Sequence, residues 1–273
     1  MKKIIALVLT LVLCLSLAAC GAKEGGTKVA VQKGTTSFVY ADMLKNTQTV
    51  SYDTFALAAN DMINGNASYV IADKATALSL CKENAKLKII DIALSSENYA
   101  IGIDPNQADL KTKIDKILID KASDIDAIKE KYLNGEEAKY VGVTSGTKDT
   151  AKAAEQLVVA TNAEFAPWEY KEGNQYFGID MEIAQLIATE LGMELVIDDM
   201  AFDMVVGAVG KQGVDITMAG LTVTAERAKV INFSAPYYTE SIVVVCKADD
   251  TSLDSAGTVI DVLTAITTVT EEK

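Results

Sequence analysis

At 273 residues and 49% hydrophobic, the chain can bury a core as one large domain or two small ones. Its 38 acidic against 25 basic residues give a net charge of -13. That balance argues against nucleic acid, whose phosphates need concentrated Lys and Arg, and against electrostatic capture by anionic lipid. The chain has no histidine, which removes histidine triads, histidine metal ligands and histidine proton shuttles.

The first residues, "MKKIIALVLTLVLCLSLAACG", place two lysines before an apolar run and small residues before Cys20. The run is shorter than the roughly 20 residues of a spanning helix and ends like a cleavage site. "LAAC" resembles a bacterial lipobox. Residues 1–20 therefore read as a lipoprotein signal peptide with the lipid on Cys20, the alternative being a secretory signal that happens to contain cysteine. Acyl chains worth about 0.8 kcal/mol per buried CH₂ would anchor an extracytoplasmic protein to the cell membrane. Cys14 leaves with the signal. Cys81 and Cys246 then remain, without metal-ligand spacing, and read as free thiols.

Along the mature chain, β-rich runs alternate with helical patterns. Strands are expected at Lys28–Gln32, Thr47–Asp53, Ala67–Asp73 and Leu87–Leu94, with a helix ending at Leu44 and helices over 54–63 and 74–83. "ENYAIGID" (97–104) reads as one strand, and 108–122 and 124–133 as amphipathic helices. The small, polar stretch 136–156 follows as a linker. Beyond it come a strand over 156–162, a helix over 178–191, a strand over 193–199, a helix over 201–212 and a strand over 214–220. "YTESIVVVCKA" (238–248) reads as one long strand, and the tail as a helix. Such alternation implies an α/β fold of parallel sheets covered by helices on both faces.

"MAGLTVTAERAKVINF" (218–233) puts Gly220, Thr222 and Thr224 after a strand and Arg227 in the first turn of a helix. Gly220 lets a ligand approach bare backbone, Thr222 offers a hydroxyl, and the planar fork of Arg227 suits a carboxylate. The same residues also read as a helix start, with Thr224 as N-cap and Arg227 solvated.

"VVATNAEFAPWEYKEGNQYFGIDMEIAQLIATELG" followed by "MAGLTVTAER" resembles the polar-amino-acid family of bacterial extracellular solute-binding proteins, from Leu157 to Asp250. "VAVQKGTTSF", "MINGNASYVIAD", "ENYAIGIDPNQADL" and "IDAIKEKYLNG" resemble the other lobe of that family and its closing helix. The lobes stand in reversed order, so the chain looks like a circular permutant. It would have a second-lobe segment at 27–135, a linker at 136–156 and a first-lobe segment at 157–273. The resemblance implies a two-lobed, periplasmic-binding-protein-like fold with a ligand cleft between the lobes. It leaves one covalent hinge through the linker, unless strand pairing rebuilds the other or two chains exchange lobes.

The resemblance also implies a ligand set. Arg227 would hold the α-carboxylate of an amino acid, with Thr36 of the "KGTTS" loop adding a donor. Asp73 would hold the α-ammonium, completed by the Gly220 carbonyl and the Thr222 hydroxyl. Phe165 and Phe202 would line the side-chain slot, and Asn162 and Gln32 would tune it toward a polar, glutamine-like guest. The nearby Glu164 keeps a cationic guest open. Asp73 could instead cap a helix, and Phe165 and Trp168 could be core. No cofactor, metal or catalytic residue is implied. The partner is a membrane permease of the ABC type, served by cleft closure, and the protein is not an enzyme. The alternatives are a non-transporting sensor, a decayed fragment, or a dehydratase-like enzyme of the same fold.

Overall fold

The computed structural model of the chain describes residues 26–135 and 139–268. The expected signal peptide and Cys20 lie outside the described residues. The chain visits two lobes, leaving the first and returning to it.

The first visit builds β1 (Thr27–Gln32), α1 (Thr36–Met43), β2 (Thr47–Tyr52), α2 (Phe55–Ile63), β3 (Tyr69–Asp73), α3 (Lys74–Glu83), β4 (Leu87–Ile90) and β5 (Glu97–Tyr99). Helix starts follow the threonines. Thr35 accepts from the Phe38 N–H and Thr54 from the Leu57 N–H, each at 3.1 Å, satisfying amides that have no partner inside the helix.

The chain then crosses into the second lobe, which holds β6 (Gly102–Ile103), α4 (Ala108–Asp120), α5 (Ala122–Asn134), β7 (Gln156–Thr161), β8 (Glu164–Phe165), β9 (Glu169–Glu172) and β10 (Gln175–Phe177). It continues through α6 (Ile179–Leu191), β11 (Glu194–Asp199), α7 (Phe202–Ala208), β12 (Ile216–Thr217) and β13 (Asn232–Phe233). It returns through β14 (Tyr238–Glu240) to β15 (Ile242–Lys247) and α8 (Val259–Thr267) in the first lobe.

Each lobe is a five-stranded sheet, ordered β2-β1-β3-β15-β4 in the first and β11-β7-β12-β6-β13 in the second. The sheets are mixed rather than all parallel. In each, one strand runs against the other four: β15 in the first, β6 in the second. Both reversed strands follow a crossing, so they enter from the end facing the other lobe. The runs expected as single strands at 97–104 and 238–248 each break into two, and the break is the passage between lobes. Their first halves, β5 and β14, pair antiparallel as Tyr99 with Tyr238 and Glu97 with Glu240. This two-stranded ribbon is the hinge.

The sheets therefore divide the chain differently from the expected segments 27–135 and 157–273. Helices α4 and α5 pack on α6 in the second lobe. Val262 and Ile266 of α8 pack with Val29, Val31, Ile71 and Val244 on the first sheet. A single hinge through the linker is also not what the chain builds, because the described part of the linker stays on the second lobe. Tyr140 stacks on Tyr132 at 4.2 Å, Val143 pairs with Tyr176, and the Gly146 N–H donates to the Leu195 carbonyl at 2.8 Å. Among the described residues, two chain crossings join the lobes.

A large apolar cluster runs from Phe55 and Val70 in the first lobe through Tyr99 to Phe165, Trp168 and Ile183 in the second. Trp168 is fully buried, its ring 4.9 Å from that of Tyr99 and 4.6 Å from that of Tyr238, and belongs to the core. Cys81 and Cys246 are free thiols. No helix among the described residues is long and apolar enough to cross a membrane.

Candidate functional site

Five loops at strand ends converge on one cleft. From the first lobe come Gln32 at the end of β1, Thr35 and Thr36 at the start of α1, and Asp73 at the end of β3. From the second come Phe165, Phe202, Gly220, Thr222 and Arg227. The cleft is nearly filled by its own side chains, leaving a cavity of only about 10 Å³. Of the residues expected to form the ligand set, Asn162 alone stands behind the wall, and it reaches the cleft through Gln32: Gln32 Nε2 donates to Asn162 Oδ1 at 3.0 Å.

The lobes are closed on each other. Lys33 pairs with Asp203 at 2.6 Å, Arg227 donates to the Gly34 carbonyl at 3.1 Å, and the Phe55 and Phe165 rings meet at 5.8 Å. Gly34 has φ 80°, and a Cβ there would come within 3.0 Å of the Asp203 side chain, so the loop passes close because it carries glycine.

Arg227 resolves its two readings. Thr224 does accept from the Arg227 N–H at 3.2 Å, but the helix is a single 3₁₀ turn, Arg227–Lys229. The residue is half-buried and its guanidinium lines the cleft. It donates to the Thr222 carbonyl at 2.7 Å, lies 5.5 Å from the centre of the Phe202 ring, and meets no carboxylate at ion-pair distance among the described residues. Burial lowers its pKa, an effect opposed by Glu97 and Asp73. Asp73 stands at the N-cap of α3, yet its side chain makes no capping bond. It is 4% exposed, and burial, with the nearby Glu97 and Glu240, pushes its carboxyl up to about 8.

Gly220 has φ 53°, and a Cβ there would stand 2.5 Å from Phe165 Cε1. Its N–H donates at 2.8 Å to Asp180, a buried carboxyl that also accepts from the Tyr237 hydroxyl at 2.7 Å. Burial raises Asp180 to about 6, against the pull of those two donors.

Sequence reasoning missed Glu97. Thr36 Oγ1 and Thr222 Oγ1 both donate to its Oε2, at 2.6 and 2.7 Å. Its signal was a charged residue at the head of an apolar strand. Glu164, weighed for its charge, is exposed and does not line the cleft.

Residues 157–272 match the sequence profile of the bacterial extracellular solute-binding proteins, family 3. That segment of the chain resembles this family. Over 105 residues it is 35% identical to the arginine-binding extracellular protein ArtP of Bacillus subtilis, covering 38% of this chain and 41% of ArtP. Over 82 residues it is 33% identical to the cyclohexadienyl dehydratase of Pseudomonas aeruginosa, covering 30% of this chain and 31% of the enzyme. Among solved structures it is similar to the arginine-bound domain 1 of TmArgBP, with 30% identity, TM-score 0.31, and coverage of 44% of this chain and 98% of that one. The chain spans about two fifths of the length of the curated solute-binding relatives it matches. Among the described residues, no group of three or more His, Cys, Asp or Glu could hold a metal ion.

Proposed function

We propose that this chain binds an amino acid by closing its two lobes around it and delivers it to an ABC-type importer. The observation that carries this reading is the placement of Arg227 and Asp73 on opposite lobes at one closed cleft. Arg227 spends its donors on carbonyl oxygens, which a guest carboxylate replaces with stronger charge-assisted bonds. Asp73 is a buried carboxyl without a cationic partner at bonding distance, and an α-ammonium supplies one. The Gly220 carbonyl and the threonines surround that group. A guest that touches both lobes stabilises the closed state through contacts the open state lacks, and no covalent step is needed.

The guest is polar or cationic, with arginine ahead of glutamine. Asp73, Glu97 and Glu240 outnumber Arg227 around the cleft, so the field there favours a guest with net positive charge. Several relatives are named as arginine-binding proteins. Gln32 in the wall and Asn162 behind it are neutral amides, which keeps glutamine in contention.

The wider setting is part of the same proposal. The mature chain would carry lipid on Cys20 and work outside the cytoplasm. Its lobes would stand in circularly permuted order, with 136–156 closing the second lobe. The profile match confined to 157–272 supports this order, as does a first lobe completed by β15 and α8 from the far end of the chain.

A thermal-shift panel of the soluble form, begun at Cys20→Ser, with the common amino acids tests the reading. A rise in Tm with arginine or glutamine supports it, since a guest that binds only the folded state raises stability with concentration. No shift with any amino acid rejects it. Turnover of a bound guest, followed by NMR, would favour the enzyme reading that the dehydratase relative keeps in view.

A further inference from the structure

Two threonines from opposite lobes end on one oxygen. Thr36, the first residue of α1, and Thr222, on the loop after β12, both donate their hydroxyl protons to Glu97 Oε2. The other oxygen, Oε1, accepts from Ser95 Oγ at 3.2 Å. Glu97 belongs to neither wall of the cleft. It sits on the hinge strand β5, which pairs with β14 along one edge. Along the other, the Asn98 carbonyl accepts the Val223 N–H at 2.8 Å. The loop that carries Thr222 is thus stitched to the strand that carries Glu97.

A hydroxyl has one proton to give and two lone pairs to offer, whereas a carboxylate only accepts. With their protons committed to Glu97, Thr36 and Thr222 can present only lone pairs to a guest. Both line the cleft beside Asp73. Three acceptors therefore face the same space. That surface suits a group rich in N–H donors and is wrong for a carboxylate.

We propose that Glu97 is a positioning residue that sets the preference of the cleft for an ammonium group, by taking the protons of Thr36 and Thr222 and turning both hydroxyls into acceptors. The inference rests on the amino-acid-binding reading and alters it at one point. Thr36 meets the ammonium side of the guest instead of donating to its carboxylate. The carboxylate is left to Arg227 and to the backbone N–H groups that open α1, which have no partner inside the helix.

Glu97→Gln keeps the shape but replaces one acceptor with an NH₂ donor. A threonine facing that donor must turn round and point its own proton at the cleft. The test is calorimetric titration of wild type and Glu97→Gln with L-arginine and with 5-guanidinopentanoate, the same molecule without its α-ammonium. If the wild type takes glutamine rather than arginine, glutamine and its deaminated analogue serve as the pair. The preference for the amino acid over the deaminated analogue should fall by about tenfold or more in Glu97→Gln, mainly through weaker binding of the amino acid, as expected for one lost charged hydrogen bond. Thr222→Val, similar in shape and lacking the hydroxyl, should lower the same ratio and covers the case in which Glu97→Gln fails to fold. Equal weakening of both probes, leaving the ratio unchanged, would mean a purely structural role and overturn the inference alone. A wild type that takes no amino acid overturns the binding reading as well, and is seen before any variant is compared.

Discussion

Gln32 and Asn162, 130 positions apart, meet in a buried hydrogen bond of 3.0 Å that links the end of β1 to the loop after β7. Each is also held by its own lobe: Gln32 Nε2 donates to the Asp53 carbonyl at 2.9 Å, and Asn162 Nδ2 to the Met200 carbonyl at 2.9 Å. The pair is therefore a pre-set contact between rigid lobes, placed where the side chain of a guest would end.

Removing one partner leaves the other without its bond in the closed state. Gln32→Ala should favour the open form and weaken amino-acid binding by roughly 1–3 kcal/mol, the usual cost of a buried polar group left unpaired. Small-angle scattering checks the first effect through a larger radius of gyration, and calorimetry the second. Unchanged scattering and affinity together would show that the bond does not hold the lobes.

The pH dependence follows from carboxyls whose burial raises them: Asp180 to about 6, Asp73 to about 8, and Glu240 and the fully buried Glu169 also upward. A carboxyl that binds its proton more tightly in the folded state contributes stability that is complete below its unfolded pKa and lost as pH rises through the folded value. The empty protein should thus melt higher at about pH 5 than at about pH 8. Asp61 and Asp261, held low by their hydrogen bonds, stay ionised in both states across that window and do not oppose the trend. Scanning calorimetry at the two pH values checks this. Guest binding should show the reverse sign. An ammonium needs the ionised form of Asp73, so affinity rises by at most about tenfold per pH unit up to about pH 8 and then levels.

Gly220→Ala should impair both stability and binding. The residue has φ 53°, and a new methyl would collide with the Phe165 ring, so the loop that carries Thr222 must shift. A loss of about 1–3 kcal/mol in denaturant unfolding, together with weakened guest binding, is expected. Retention of both would place the loop away from the guest.

Inserting Gly-Ser-Gly-Ser after Gly135 should leave binding unchanged, because the described linker residues on the far side of that point pack on the same lobe as α5. Lengthening a loop that returns to its own lobe costs only about 0.6 kcal/mol per doubling. Lost binding at unchanged Tm would instead make the segment part of the hinge.

Most strands and helices were legible from apolar spacing and from the threonines that cap the helices. The two breaks that create the lobes were not. The breaks fall at Ala100–Ile101 and at Ser241, with no Gly or Pro at the break itself, and the change of sheet depends on distant partners. Tyr99 pairs with Tyr238 on one side of the break, while Gly102 pairs with Phe233 and Thr217 on the other. Arg227 and Asp73 stood out through family motifs, but spacing alone could not choose between a cap and a ligand contact. The unused cap at α3 and the turn of the half-buried Arg227 into the cleft are tertiary facts. Glu97 stayed hidden because nothing near it in sequence reports that Thr36 and Thr222 arrive from opposite sides.

The central claim is that one amino acid is gripped from both lobes through Arg227 and Asp73. Calorimetric titration of the wild type and of Arg227→Ala with L-arginine tests it most directly. The account predicts saturable binding of one molecule per chain by the wild type, and no measurable binding by a variant that still melts cooperatively within a few degrees of it. Equal affinity in the two proteins would contradict it.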